Sequence, residues 1–301
     1  MHTWRTLLLA AVAPLASACG FFVDGEPEIM AHRAAGGRWP QNSRSAVTGS
    51  LAAGYPGIEV DLGLTRDDAL VLMHDPWVSA PLCRRADGGE VPERVLLRDL
   101  TLTELERDYR CAAGEDPEHP EVTPTDDPPM TLDELLARLE GHPEVALYLD
   151  VKYDPDDTGP AERFADAMRA SFERAQLPER VYVETTLPAA AEAMADVPGA
   201  TLVWGWPRFT PDDSDTAAAL AGEAELALGL TSFTDEARAA RAHGITLPYQ
   251  LLHTPSVMAA RDDGLLVFVY TANTQGELDT LCDYPIDFLM TDLPERAPCL
   301  R

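Results

Sequence analysis

Gly57-Ile58-Glu59-Val60-Asp61-Leu62 and Val145-Ala146-Leu147-Tyr148-Leu149-Asp150-Val151-Lys152 are the stretches whose reading decides the fold. Each is a short apolar run that ends in ionisable residues two positions apart. Strand residues i and i+2 project to the same face, about 7 Å from one another. Glu59 therefore shares a face with Asp61, and Asp150 shares one with Lys152. Two carboxylates so placed repel each other and need a cation.

Working outward, runs of the same kind recur at Ile29–His32, Leu70–His74, Val181–Glu184, Leu202–Trp204, Leu226–Leu230, Leu265–Tyr270 and Phe288–Met290. With Ile58–Leu62 and Val145–Val151 they alternate with segments of helical character. Arg44–Ala53, Thr131–Glu140, Ala161–Gln176 and Asp235–Ala242 are examples, the last ended by Gly244. Alternating strands and helices predict an α/β fold around a parallel sheet, here a distorted (β/α)8 TIM barrel over residues 28–301. The strand candidates are one too many for eight staves, so at least one lies outside the barrel or is misread. Between Pro76 and Pro129 the rhythm breaks into two cysteines, a Gly88-Gly89 turn and an acidic, proline-rich run. This reads as a lobe inserted after the His74 strand, over one mouth of the barrel.

The 301 residues are 46% hydrophobic and 25% charged, which excludes a disordered or fibrous chain. Acidic residues outnumber basic ones 51 to 23, and a net charge of −28 argues against a nucleic-acid partner. Lys152 is the single lysine, the other 22 basic residues being arginine, and that singularity invites a functional explanation. Met1 to Ala18, with an apolar run from Leu7 to Leu15, reads as an export signal too short to span a bilayer. Ala16-Ser17-Ala18-Cys19 resembles a bacterial lipobox with its leucine one place early, and Ala16-x-Ala18 fits ordinary secretory cleavage equally. The reading is an exported protein of the periplasm or cell envelope, joined to the membrane only by a lipid on Cys19 and a linker over 19–27. Plain secretion is the alternative, and no protein partner is inferred. Setting Cys19 aside leaves an even set, and pairing Cys83 with Cys111 and Cys282 with Cys299 closes the shortest loops.

A barrel delivers its functional residues to the carboxyl ends of its strands. His32-Arg33 follow Ile29-Met30-Ala31, and His74-Asp75 follow Leu70-Val71-Leu72-Met73. Together with the first two stretches they give three carboxylates (Glu59, Asp61, Asp150), two imidazoles (His32, His74) and two cations (Arg33, Lys152). Oxygen donors suit one hard divalent ion, Ca²⁺ or Mg²⁺, rather than Zn²⁺. An ion with Arg33 and Lys152 makes a phosphate clamp, and two histidines supply a general acid and a general base. A lone histidine at a strand end is more often structural, and a lone Glu-x-Asp is more often a solvated edge. Their conjunction is what points to metal-assisted cleavage of a phosphodiester, because ionisable groups at apolar strand ends are costly without partners.

At these residues the chain resembles the glycerophosphodiester phosphodiesterase family, over about Ile29 to Pro294. His32-Arg33-Ala34 with Pro40-Gln41-Asn42-Ser43 is similar to its opening His-Arg-Gly and Pro-Glu-Asn-Thr. Ile58-Glu59-Val60-Asp61-Leu62, Val71-Leu72-Met73-His74-Asp75 and Leu64-Thr65-Arg66-Asp67 follow its next segments. Leu100-Thr101-Leu102-Thr103-Glu104-Leu105, Met130-Thr131-Leu132-Asp133-Glu134-Leu135, Val269-Tyr270-Thr271-Ala272-Asn273 and Met290-Thr291-Asp292-Leu293-Pro294 complete the pattern. The resemblance implies that Glu59, Asp61 and Asp150 hold the metal, that His32 and His74 are the acid/base pair, and that Arg33 and Lys152 bind phosphate. It also implies attack by a glycerol hydroxyl on phosphorus, followed by water opening the cyclic product to give glycerol 3-phosphate and an alcohol.

Four departures bear on substrate choice. Ala34 replaces glycine, Gln41 replaces glutamate, Asp150 is one methylene shorter than the family's glutamate, and Tyr270 replaces tryptophan on the wall expected to contact the glycerol or alcohol. Asp150 with Lys152 also resembles the related sphingomyelinase D-like phospholipases, so a lysophospholipid substrate is the alternative. The alternative from another class is a barrel lipoprotein that binds phosphorylated ligands without turning them over.

Overall fold

The computed structural model describes residues 25–92, 94–206, 233–252 and 254–301. The export signal, Cys19, most of the 19–27 linker and the strand expected at Leu226–Leu230 lie outside the described residues. In chain order the strands are β1 (Glu28–Ala31), β2 (Gly57–Leu64), β3 (Leu70–Leu72), β4 (Trp77–Val78), β5 (Arg84–Arg85), β6 (Val95–Leu96) and β7 (Tyr109–Arg110). They continue with β8 (Ala146–Val151), β9 (Val181–Thr185), β10 (Thr201–Gly205), β11 (Gly244–Pro248), β12 (Leu266–Tyr270) and β13 (Phe288–Thr291). Among the described residues eight of these, in the order β1-β13-β12-β11-β10-β9-β8-β2, pair in parallel, and β1 pairs with β2 to close a barrel. No helix among them is long and apolar enough to cross a membrane.

Alternation sorts every stave into two faces. Ile58, Val60 and Leu62 of β2, Leu147 and Leu149 of β8, and Val267 and Val269 of β12 join the large core beneath the outer helices. Met30, Ala146, Tyr148, Tyr182, Val203, Phe268, Phe288 and Met290 point the other way and fill the lumen. Four aromatic rings dominate that filling, with Phe268 and Phe288 stacked at 4.4 Å and Tyr182 edge-on to both. The lumen is a plug, not a pore, and whatever stands one inward position above it stands at the mouth.

Two readings of the sequence are corrected here. The Leu70–His74 run is not a stave: β3 lies antiparallel to β2, with Leu62 opposite Leu72 and Leu64 opposite Leu70. The connection is too short for a parallel crossover, and Thr65 closes it as a turn by exchanging hydrogen bonds with Ala69. The second correction is Gly244, which opens β11 and does not end the preceding helix. That helix spans Phe233–Ala239 and is followed by Arg241 in the left-handed conformation at φ 59°. Ile245 and Leu247 then face the outer core.

Three Thr-x-x-Glu segments start helices. Thr101 with Glu104, Thr131 with Glu134 and Thr274 with Glu277 form reciprocal capping boxes. Between β3 and the helix Leu132–Leu139, two small antiparallel sheets (β4 with β6, β5 with β7) and the helix Leu102–Asp108 surround a core of Val71, Met73, Val78, Cys83, Leu97, Leu105 and Tyr109. Cys83 is bonded to Cys111, and Cys282 to Cys299, the pairing the shortest loops predicted.

Candidate active site

One inward step beyond the lumen plug, the side chains become ionisable. His32 follows Met30, Asp150 follows Tyr148, Asp292 follows Met290, and Glu59 and Asp61 follow Gly57. The parallel register sets Asp61 level with Asp150 on adjacent staves. Ligand atoms of Glu59, Asp61 and Asp150 all lie within 4.8 Å of one another, at 2%, 1% and 5% exposure.

Lys152 bridges two members of this trio, its Nζ standing 2.7 Å from Asp61 Oδ1 and 2.6 Å from Asp150 Oδ2. Arg33 places its Nε 3.6 Å from Asp61 Oδ2, and its backbone N–H donates to Glu59 Oε2 at 2.6 Å. Asn42, carried on the loop before the helix Arg44–Ala53, clasps Asp61 twice: its Nδ2 donates to Oδ2 at 2.7 Å, and its Oδ1 accepts from the Asp61 backbone at 3.1 Å. Burial together with the Asp61 charge pushes the Glu59 carboxyl up to about 7. Three carboxylates thus stand beside two fixed cations, Lys152 and Arg33. An all-oxygen, buried, under-neutralised set of this kind fits a hard divalent cation.

The two histidines are held differently. His32 Nδ1 is 2.7 Å from Asp292 Oδ1, and because a carboxylate only accepts, Nδ1 carries the proton. Nε2 then faces Glu59 Oε2 at 3.9 Å. Burial alone would lower the pKa of His32, but the charges of Asp292 and Glu59 outweigh it and the net shift is upward. His74 sits just past β3, which folds back so that the Met73 backbone donates to the Asp61 carbonyl at 3.1 Å. Its Nδ1 is 2.8 Å from Asp75 Oδ1. Burial, then the Lys152 charge, lowers its pKa against the opposing pull of Asp61. The hairpin therefore does for His74 what a stave does for His32.

Tyr270 stands at the end of β12 on the lumen register, packed on the aromatic plug as part of the wall. Ala34 takes the left-handed conformation at φ 59°, between Arg33 at 50° and Ala35 at 65°, so the departure from glycine is absorbed by the same turn. Gln41 is bracketed: its Oε1 accepts from Arg33 Nη1 at 2.9 Å, and its Nε2 donates to Asp116 Oδ2 at 2.5 Å. The charge absent at position 41 is thereby supplied by the lobe.

Asp292, Asn273 and His119 also contact the site and, like Asn42, were not among the sequence candidates. Asp292 is signalled by the same two-residue step as the others. Asn273 Nδ2 donates to Asp292 Oδ2 at 2.5 Å, and it sits in a segment already matched to a family pattern. His119, whose Nε2 is 3.1 Å from Asp292 Oδ2, has no periodicity that could have found it. Burial opposes the charge on Asp292, but His32, His119 and Asn273 together hold it well below the usual carboxylate range.

Residues 32–296 match the profile of the Glycerophosphoryl diester phosphodiesterase family. A Mycobacterium tuberculosis protein named "Probable glycerophosphodiester phosphodiesterase 1" is 32% identical over 130 residues, which are 43% of this chain and 44% of that one. A Bacillus altitudinis glycerophosphodiester phosphodiesterase is 32% identical over 80 residues, 27% of this chain and 29% of its own. These matches span less than half the length of the curated relatives. A crystal structure from Silicibacter pomeroyi aligns with TM-score 0.77 at 20% identity, covering 91% of this chain and 93% of that one. The structure of an Oleispira antarctica phosphodiesterase in complex with the product sn-glycerol-3-phosphate aligns with TM-score 0.69 at 16% identity, covering 90% and 95%. At these identities the likeness is one of fold.

Proposed function

Because this chain belongs to the glycerophosphoryl diester phosphodiesterase family, we propose that it hydrolyses glycerophosphodiesters to glycerol 3-phosphate and an alcohol, with His32 and His74 as the acid/base pair. The observation that carries the reading is the meeting of Glu59, Asp61 and Asp150 within 4.8 Å, with Lys152, Arg33 and His32 against them and His74 under the charges of Lys152 and Asp61. Glu59, Asp61 and Asp150 would hold one divalent cation, Ca²⁺ or Mg²⁺. When bound, such an ion supplies positive charge to the phosphate oxygens. Arg33 and Lys152 bind and orient the phosphate, and Tyr270 bounds the space for the glycerol or alcohol. One imidazole takes the proton of the attacking hydroxyl and the other protonates the leaving oxygen. Asp292 and Asp75 each hold the Nδ1 of one imidazole and so orient it.

The same reading places the protein outside the cytoplasm, with a cleaved signal over 1–18, a lipid on Cys19 and residues 28–301 as the catalytic barrel bearing the lobe of 76–129. The Cys83–Cys111 and Cys282–Cys299 bonds support an oxidising compartment. Mass spectrometry of the mature N-terminus would reveal acyl chains on Cys19 or a bare thiol.

The test is a panel of glycerophosphocholine, lysophosphatidylcholine and sphingomyelin with identification of the released group. Glycerol 3-phosphate is the expected product, abolished by chelation and restored by divalent ion. Turnover surviving both chelation and His32→Ala would overturn the assignment.

A further inference from the structure

One short segment of the lobe touches the residues of the site. Asp116, Glu118 and His119 each touch a different member of the site. Asp116 Oδ2 accepts from Gln41, Glu118 Oε2 lies 3.2 Å from Arg33 Nη1, and His119 Nε2 lies 3.1 Å from Asp292 Oδ2. Asp116 and His119 are 6% and 8% exposed although the run around them is acidic and proline-rich. Polar side chains on a loop are buried only where partners repay their desolvation, so this segment docks into the mouth and does not merely pass over it.

Asp292 is the point where lobe and barrel meet. Its Oδ1 accepts from His32 Nδ1 at 2.7 Å. Its Oδ2 accepts from Asn273 Nδ2 at 2.5 Å, and His119 Nε2 stands 3.1 Å away as an ion-pair partner without the alignment of a hydrogen bond. His32 and Asn273 hold one oxygen each, and the imidazole of His119, coming from a different element, draws the carboxylate from the lobe side. The plane of Asp292 sets where His32 Nδ1–H must point, and hence where Nε2 is aimed.

We infer that His119 is a positioning residue for His32: by pairing its imidazole with Asp292 Oδ2 it steadies the carboxylate that orients the His32 ring, so that docking of the lobe completes the acid/base arrangement. The inference rests on the reading of His32 given above. It assigns the lobe a part in turnover besides covering the mouth. Outer partners that orient a metal-binding histidine are worth about 10–100-fold in activity, and the same scale is expected for one that orients His32.

His119→Ala should lower kcat on glycerophosphocholine about 10–100-fold and leave KM little changed, because phosphate binding by Arg33 and Lys152 is untouched. His119→Gln, which keeps a polar side chain of similar reach without the charge, should restore only part of the loss. In histidine-labelled protein without substrate, the downfield proton of His32 Nδ1 should broaden or move in His119→Ala. Wild-type kcat in His119→Ala, or an unchanged His32 resonance, would overturn the inference while leaving an inactive His32→Ala to support the parent reading. Absence of any turnover by the wild type would instead sink the parent reading, and the His32 resonance would still decide the coupling.

Discussion

The barrel rim and the inserted lobe both present polar residues to the same mouth, but they hold them by different means. On the rim, each ionisable side chain continues a stave whose lower residues are locked in the lumen plug, as Asp150 continues Tyr148 and Asp292 continues Met290. Its position is inherited from barrel closure. In the lobe, Asp116, Glu118 and His119 follow a compact cluster of apolar residues, two sheets of two-residue strands and one disulfide. Their position is set by that cluster and by what they touch at the mouth. A change on the rim should therefore alter charge at a fixed place, whereas a change in the lobe should alter how often its residues are in place.

The largest effect is expected where the rim concentrates charge. Lys152→Met leaves Asp61 and Asp150 buried beside Glu59 with their bridging ammonium gone. Removing one partner of a buried pair costs about 3–5 kcal/mol, and losing one stabilising charge at a reacting phosphate costs roughly 10²–10³-fold in turnover. Thermal melts should show divalent cation recovering part of the stability, and activity assays should show it recovering none of the rate. Lys152→Arg should fare little better. The gap between the two carboxylate oxygens admits a compact ammonium, and a planar guanidinium makes a different fit. This explains why a chain otherwise built with arginine keeps one lysine. Activity within tenfold of wild type would mean that the rim does not depend on this bridge.

A smaller effect, confined to the other region, is expected from Cys83→Ser with Cys111→Ser. The bond closes a loop with a sequence separation of 28, and its loss should release about 3–4 kcal/mol of constraint from the lobe. Hydrogen exchange should quicken over 77–112 and stay slow over Ala146–Val151. If β8 lost protection along with the lobe, the two regions would be one cooperative unit and the contrast drawn above would fail.

Much of the rim was legible because strand alternation is local: Glu59, Asp61, Asp150 and Lys152 announce themselves by the two-residue step from apolar neighbours. Asp292 obeyed the same rule from Met290. β11 was hidden because Gly244-Ile245-Thr246-Leu247-Pro248 follows a helix closely and carries a glycine that also reads as a helix end. The antiparallel course of β3 was implicit in its short connection to β2. His119 was not legible at all. It meets Asp292 across a sequence separation that no periodicity encodes, and its neighbours read as a solvated acidic run.

The smallest effect concerns pH and tests whether the lobe is clamped by charge. Three acids face His119: its close contact with Asp292, and the charges of Asp292, Asp116 and Glu121, raise its pKa above the ordinary 6.5 despite partial burial. A histidine whose folded pKa lies above its unfolded value adds stability that is full below the unfolded value and is lost as pH rises through the folded one. The difference in melting temperature between wild type and His119→Ala should therefore be widest near pH 6 and narrow as the pH climbs past the raised pKa. It should not vanish, because the neutral imidazole stays buried against Asp292. A gap that is constant across this range would show that the contact is held by shape and neutral hydrogen bonding alone. A gap that widens with pH would mean that the imidazole docks uncharged, and the lobe would then resemble the rim more than its acidic surroundings suggest.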